Sequence, residues 1–316
     1  MCKPRANARR TNTNIETKEN SIKLQTLVGL TAATLLSACT GLGDFASNQP
    51  VAIQFAGAIN GQPFACGQSY ANVGTTKSTI TPSDFRFYVS EVKLVRKDGS
   101  TEPVQLAQDG VWQYQNVALI DFENGTGPCR NGTVATNTSV RGVVPKGEYT
   151  GVELTVGVPF ALNHQDPTVA PSPLNSTAMF WNWQGGYKFI KFDTASSGVS
   201  EQKPAAPNEM GPVTRYSVHL GSTMCASPSK TQAPQACQSP NRVTVRFDAF
   251  DTAKGVVVAD IGAVLSQANV DVNAQGTSPG CMSFPKDADC PPVMGALGLA
   301  YDGIPAAGSQ RFLSAK

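Results

Sequence analysis

The chain has 316 residues, of which 41% are hydrophobic and 15% charged, and its net charge is +2. Six Lys/Arg but only two Asp/Glu fall in the first 38 residues, so the rest of the chain carries a net charge of −2. No stripe of Lys or Arg interleaved with aromatics follows, which argues against nucleic acid as a partner.

In chain order, the basic residues Lys3, Arg5, Arg9, Arg10, Lys18 and Lys23 precede an uncharged stretch from Leu24 to Ala38 that ends Leu36-Ser37-Ala38-Cys39. This is the pattern of a lipoprotein signal peptide with its lipobox, predicted over residues 1–38. Cys39 is then the acylated new N-terminus, which ties the chain to a membrane through its lipid. The apolar stretch is about 15 residues long, short of the roughly 20 that a spanning helix needs. Thr40, rather than Asp, follows the lipidated cysteine and favours the outer membrane over the inner. Small polar residues make 39–50 a tether, and the folded domain is expected over 51–316.

From there, runs of β-branched and aromatic residues with a period of two recur between turn signals. Strands are expected at Val51–Ala56, Phe85–Arg96, Val117–Phe122, Tyr149–Val158, Tyr187–Asp193, Arg215–Gly221, Arg242–Asp251 and Val256–Leu265. The run from Phe85 to Val95 reads as a half-buried strand closed by the turn Lys97-Asp98-Gly99. No helical stretch of comparable length and no βαβ rhythm is visible. The fold class read from this pattern is all-β, an antiparallel β-sandwich with long loops, stapled by disulfides. The long linking segments are Asn124–Val140, Asn163–Ala178 and Ala195–Pro212.

Outside the leader and Cys39, six cysteines remain: Cys66, Cys129, Cys225, Cys237, Cys281 and Cys290. An even count in an exported chain points to disulfides. The short spacings favour Cys225 with Cys237 and Cys281 with Cys290, which leaves Cys66 with Cys129. A thiolate metal site is disfavoured, because no C-x-x-C pair is present and thiols do not persist in an oxidising compartment.

The chain has two histidines, His164 and His219, each beside an expected strand end. Any imidazole site must use one or both. Two of the three tryptophans, Trp181 and Trp183, stand two residues apart, so that in a strand both indoles face one side, with Met179 sharing it. Taken alone, that aromatic pair reads as core or as a sugar-stacking face. A thioether beside neutral imidazoles suits Cu(I) better than a hard cation. Enzyme signatures are poor: Gly276-Thr277-Ser278-Pro279-Gly280 matches G-x-S-x-G, but Pro279 and the absence of a following helix pattern deny it the strand-turn-helix setting of a nucleophile elbow. No H-E-x-x-H, P-loop, dinucleotide fingerprint or haem-attachment motif occurs.

The chain resembles the MbnP-like periplasmic copper-binding proteins, also called metallo-mystery-pair four-Cys-motif proteins. The likeness lies in Phe64-Ala65-Cys66-Gly67, Asp84-Phe85-Arg86-Phe87-Tyr88-Val89-Ser90, Gly151 to Pro159, Asn163-His164, and Ser172-Pro173-Leu174-Asn175. It continues in Met179 to Trp183, Gly186-Tyr187-Lys188-Phe189, His219-Leu220-Gly221-Ser222-Thr223 with Cys225, and the tail Cys281-Met282-Ser283 with Cys290-Pro291-Pro292. The resemblance implies a β-sandwich that holds one copper ion, as Cu(I) or Cu(II), and is no enzyme. It also implies a partner, a di-haem cytochrome c peroxidase-like (MbnH-like) protein that oxidises a tryptophan to kynurenine. Carried over, His164 and His219 are the imidazole ligands, and Trp183 or Trp181 is the modified residue, with a weak lean to Trp183. Met179 is an additional ligand or a packing wall, and Asp166 is expected to orient His164. The rival reading is a glycan-binding or structural surface lipoprotein in which Trp181 and Trp183 stack on sugar. A third, copper-dependent redox catalysis, requires an open coordination position.

Overall fold

The computed structural model describes residues 47–197, 215–229, 231–274, 276–306 and 308–316. The expected signal peptide, Cys39, most of the expected tether and most of the third long loop lie outside the described residues.

Two sheets form the framework. In the first, the strands Leu313–Ala315, Val256–Asp260, Asn48–Ile59, Ser139–Pro145 and Gln105–Leu106 lie side by side in that order. The second runs Val243–Phe247, Gly151–Val156, Ser78–Val95, Gly186–Ser196, Arg215–Gly221 and Gly280–Cys281, and Val117–Asp121 also pairs with Ser78–Val95. The strands Thr223–Ala226 and Ala236–Ser239 make a separate two-stranded ribbon.

The inner faces meet through aromatics: Phe55 of the first sheet lies 6.0 Å from Phe87 of the second, and Phe87 lies 5.2 Å from Phe312, centroid to centroid. Edge-to-face contacts of this kind add to the free energy of burial.

The sandwich is as expected, but its sheets are mixed. Asn48–Ile59 pairs parallel with Val256–Asp260, and Arg215–Gly221 pairs parallel with Gly280–Cys281. Parallel pairing needs long connections, and the chain segments between these partners are long enough to supply them. The first strand starts at Asn48, inside the expected tether, because Asn48–Pro50 pair with Val143–Pro145. The expected strand Val256–Leu265 stops at Asp260. There the carboxylate accepts hydrogen bonds from the amides of Gly262 and Ala263, which starts the short helix Ile261–Leu265. Two further short helices, Phe160–Asn163 and Cys290–Ala296, were not visible as periodicity. No helix among the described residues is long and apolar enough to cross a membrane.

The turn after the long strand forms as read: Gly99 has φ of +83°, and the Asp98 carboxylate accepts from the Ser100 amide at 2.9 Å. The half-buried expectation for this strand fails between Asp84 and Ser90, where both faces are buried. Phe85 and Phe87 face the core. On the other face, the Tyr88 hydroxyl donates to the Pro173 carbonyl at 3.0 Å and Arg86 reaches the Asn131 carbonyl at 3.4 Å. The two long loops therefore roof the outer side of the second sheet, and the polar residues of the candidate site lie beneath them.

Candidate metal centre

Three disulfides close as the spacings favoured: Cys66 with Cys129, Cys225 with Cys237, and Cys281 with Cys290.

His164 is the C-terminal cap of the short helix Phe160–Asn163. Its Nδ1 lies 3.0 Å from the Trp183 carbonyl, which can only accept, so Nδ1 carries the proton. Nε2 then holds the lone pair. It accepts from Asn163 Nδ2 at 3.1 Å and faces Cys237 Sγ at 3.6 Å. Burial pushes the imidazole pKa down, against a smaller upward pull from the Trp183 carbonyl, so the ring is kept neutral. Asn163 is fully buried and braces the neighbourhood. Its Oδ1 accepts the Tyr187 amide at 2.9 Å, and its Nδ2 also donates to Ser222 Oγ at 3.4 Å.

His219 stands in the strand Arg215–Gly221, paired opposite Lys191. Its Nε2 lies 2.8 Å from Asp193 Oδ1, and a carboxylate also only accepts, so here Nδ1 is left with the lone pair. Burial lowers this imidazole pKa as well; the Asp193 carboxylate pulls it the other way and only partly offsets the effect. Asp193 takes two more bonds, from Ser217 Oγ at 2.7 Å and Lys191 Nζ at 2.6 Å. Lys191 also bridges to Asp84, which is clasped by Arg86. His219 and Asp193 open onto a cleft of about 490 Å³ that is also lined by Ser217, Asn131 and the thioether-bearing Met282.

The tryptophans depart from the expected arrangement. Trp181 lies in the short strand Phe180–Asn182, but Trp183 lies beyond it, in the turn that leads to Gly186–Ser196, so the two do not share a strand face. The Trp181 ring packs on Phe284 at 5.3 Å, and its Cζ3 would sit 2.5 Å from a Cβ at Gly221. Gly221 is two residues from His219 and on the same strand face. The hairpin thus touches both imidazole neighbourhoods, His164 through the Trp183 carbonyl and the His219 strand through the Trp181 indole.

Met179 does not extend the tryptophan strand. It ends the 3-10 turn Thr177–Met179 and is fully buried among core side chains, the position of a packing wall. Asp166 does not orient His164: its Oδ1 accepts from the amide and hydroxyl of Thr168, at 2.8 and 2.7 Å, in a local turn. The Trp183 carbonyl takes that role for His164, and Asp193 takes it for His219.

Among the described residues, the two imidazoles have no hydrogen-bond partner in common. Among the described residues, one cluster of potential ligand atoms within 4.8 Å of one another joins His164 with Cys225 and Cys237, and another joins Glu123 with Cys66 and Cys129. Neither contains His219. A wider groove of about 940 Å³ crosses the first sheet beside Gln49, Gln54, Gln105, Gln108 and Arg141; neither histidine nor Trp181 or Trp183 lines it.

Sequence reasoning missed Asp193, Lys191, Asp84 and Asn163 as supports. The signal was present: Asp84 and Arg86 on one strand, and Lys191 and Asp193 on its neighbour, repeat charge at the two-residue period of a single sheet face.

The MbnP family profile matches residues 48–283. Among solved structures, MbnP from Methylosinus trichosporium is 31% identical, with a TM-score of 0.74, over 85% of this chain and 98% of that one. A search of curated proteins gives no match.

Proposed function

Since the chain belongs to the MbnP family, we propose that it is an exported lipoprotein that binds one copper ion through His164 and His219 and acts as a copper carrier or sensor rather than a catalyst. The observation that carries this reading is the state of the two imidazoles. Each is buried and kept neutral, and each has its N–H fixed by an acceptor, the Trp183 carbonyl or the Asp193 carboxylate. An acceptor on one ring nitrogen sets the tautomer and aims the other nitrogen as a ligand. Neutral imidazole suits copper, and Cu(I) tolerates the thioether of Met282 nearby. Bound copper would supply a soft, redox-active cation. The protein's part is to hold Nε2 of His164 and Nδ1 of His219 unprotonated and in place.

The hairpin Trp181–Gly186 supports the second half of the reading, a kynurenine made from Trp183 or Trp181 by a di-haem cytochrome c peroxidase-like partner. Ring opening turns an indole, which has no lone pair to offer, into an arylamine that can ligate. Trp181 is now the better placed, because its ring lies over the strand that bears His219. Three formed disulfides suit an oxidising periplasm, and the lipobox at Cys39 supplies the anchor, with Thr40 favouring the outer membrane. Metal analysis with peptide mass mapping tests this reading. The expected result is one copper per chain and the mass of kynurenine at 181 or 183. Unmodified tryptophans with no retained copper would overturn it.

A further inference from the structure

His164 Nε2, which accepts from Asn163 Nδ2, also faces the Cys225–Cys237 bridge, with Cys237 Sγ 3.6 Å away and all three ligand atoms within 4.8 Å of one another. We propose that this bridge is a redox-controlled ligand pair: when a dithiol reductant opens it, His164, Cys225 and Cys237 form a three-coordinate site for a soft cation.

Disulfide sulfur is a poor ligand and thiolate a strong one, so the pair contributes to metal binding only in the reduced state. In the opening step a thiolate of the reductant attacks Cys237, the partly exposed member of the pair, and the Sγ–Sγ bond breaks with Cys225 leaving as thiolate. The reductant's second thiol then displaces Cys237. Two electrons pass to the protein, the reductant ends as a disulfide, and the two cysteine thiols lose their protons to solvent as the cation binds.

The bridge is set apart from the other two. It staples the ribbon Thr223–Ala226 with Ala236–Ser239, which pairs with neither main sheet, so opening it leaves both sheets hydrogen-bonded. Cys281 and Cys290 are both fully buried, and Cys66 and Cys129, one partly exposed and one buried, cluster with the Glu123 carboxylate and no imidazole. The ribbon also reaches the tryptophan hairpin, since Gln184 Nε2 donates to the Cys225 carbonyl at 3.0 Å. Occupation of the reduced site would therefore draw His164 away from any copper shared with His219.

This inference rests on the copper reading only in treating His164 Nε2 as a ligand atom. The test treats the folded chain with limiting dithiothreitol, alkylates a portion for peptide mapping, and titrates the rest anaerobically with Cd(II), reading the thiolate-to-cadmium charge-transfer band. Expected are alkylation first at Cys225 and Cys237, one equivalent of Cd(II) with the band only after reduction, and loss of the band after alkylation or in Cys225→Ser/Cys237→Ser. His164→Gln should weaken Cd(II) by about tenfold or more. His219→Ala should leave the band intact while removing copper from the oxidised protein, so the two proposals fail separately. First alkylation at another bridge, no band after reduction, or a band indifferent to His164→Gln would overturn the inference.

Discussion

Asp193→Ala probes the charge balance beneath the loops. Two carboxylates, Asp84 and Asp193, face two cations, Arg86 and Lys191, and Asp84 and Lys191 are almost wholly buried. Removal of Asp193 leaves Arg86 and Lys191 sharing Asp84 as their one ion-pair partner, with Asp121 and Glu123 acting on Arg86 only through longer-range charge. Breaking a buried pair by deleting one member costs about 3–5 kcal/mol. Asp193 keeps some solvent contact, with 22% of its side chain exposed, and Asp84 still holds Lys191, so the lower end applies, about 3 kcal/mol. For a domain of this size that lowers Tm by roughly 6–12 °C. Burial alone would raise the Asp193 carboxyl, but the His219 hydrogen bond and the Lys191 charge outweigh it and hold the group well below the usual carboxylate range. The stabilisation is therefore full above the unfolded value of about 3.9 and is lost as pH falls through the lower folded value, so the variant's deficit narrows on acidification. Urea denaturation of wild type, Asp193→Ala, Lys191→Met and the double variant measures the coupling directly. The double variant returns the cluster to one anion and one cation, and it should be more stable than the sum of the single losses by about 2 kcal/mol. Additive losses, or a single loss under about 1 kcal/mol, would refute the balance argument.

The Asp121 carboxyl is pushed up to about 7, chiefly by burial and against the pull of Arg86. Because the folded value is raised, the penalty is absent below the unfolded pKa and full above the folded one; Asp121→Asn should stabilise by about 2 kcal/mol near pH 8 and by nothing near pH 4 in matched urea melts. Gly186 has φ of +73°, and a Cβ there would run into the Asn163 carbonyl, so Gly186→Ala should cost about 2 kcal/mol or more and weaken copper binding through displaced Asn163, read by melting and Cu(I) titration. Cys66 and Cys129 close a loop of 63 residues and Cys225 and Cys237 one of 12; serine replacement should therefore cost about 4 kcal/mol for the first pair and about 3 kcal/mol for the second, a ranking that denaturation can reverse or uphold.

The sandwich was legible because alternation of β-branched and aromatic residues is a local pattern, and Arg215–Gly221 even keeps its expected bounds. The disulfide pairing was legible because short spacings leave few geometric options. Parallel neighbours were not legible, since nothing in Asn48–Ile59 marks Val256–Asp260 as its partner rather than a hairpin neighbour. Met179 and Trp183 were misplaced for one physical reason. A run of apolar residues at period two looks extended, yet the Ser176 carbonyl captures the Met179 amide in a turn, and Asn182 Oδ1 accepts the Gly185 amide to fold the chain back at Trp183. The histidines could be named from the sequence because there are only two. Trp183 could not be named as a support, since it acts through its backbone carbonyl, and the charge alternation that includes Asp193 marks a sheet face without saying that the loops bury it beside His219.

A Cu(I) competition titration of the oxidised, folded domain in wild type, His164→Ala and His219→Ala bears most directly on the proposed copper function. The prediction is one tight equivalent in wild type and a loss of at least about tenfold in affinity in each variant. Unchanged affinity in both variants would mean that these imidazoles do not hold the metal.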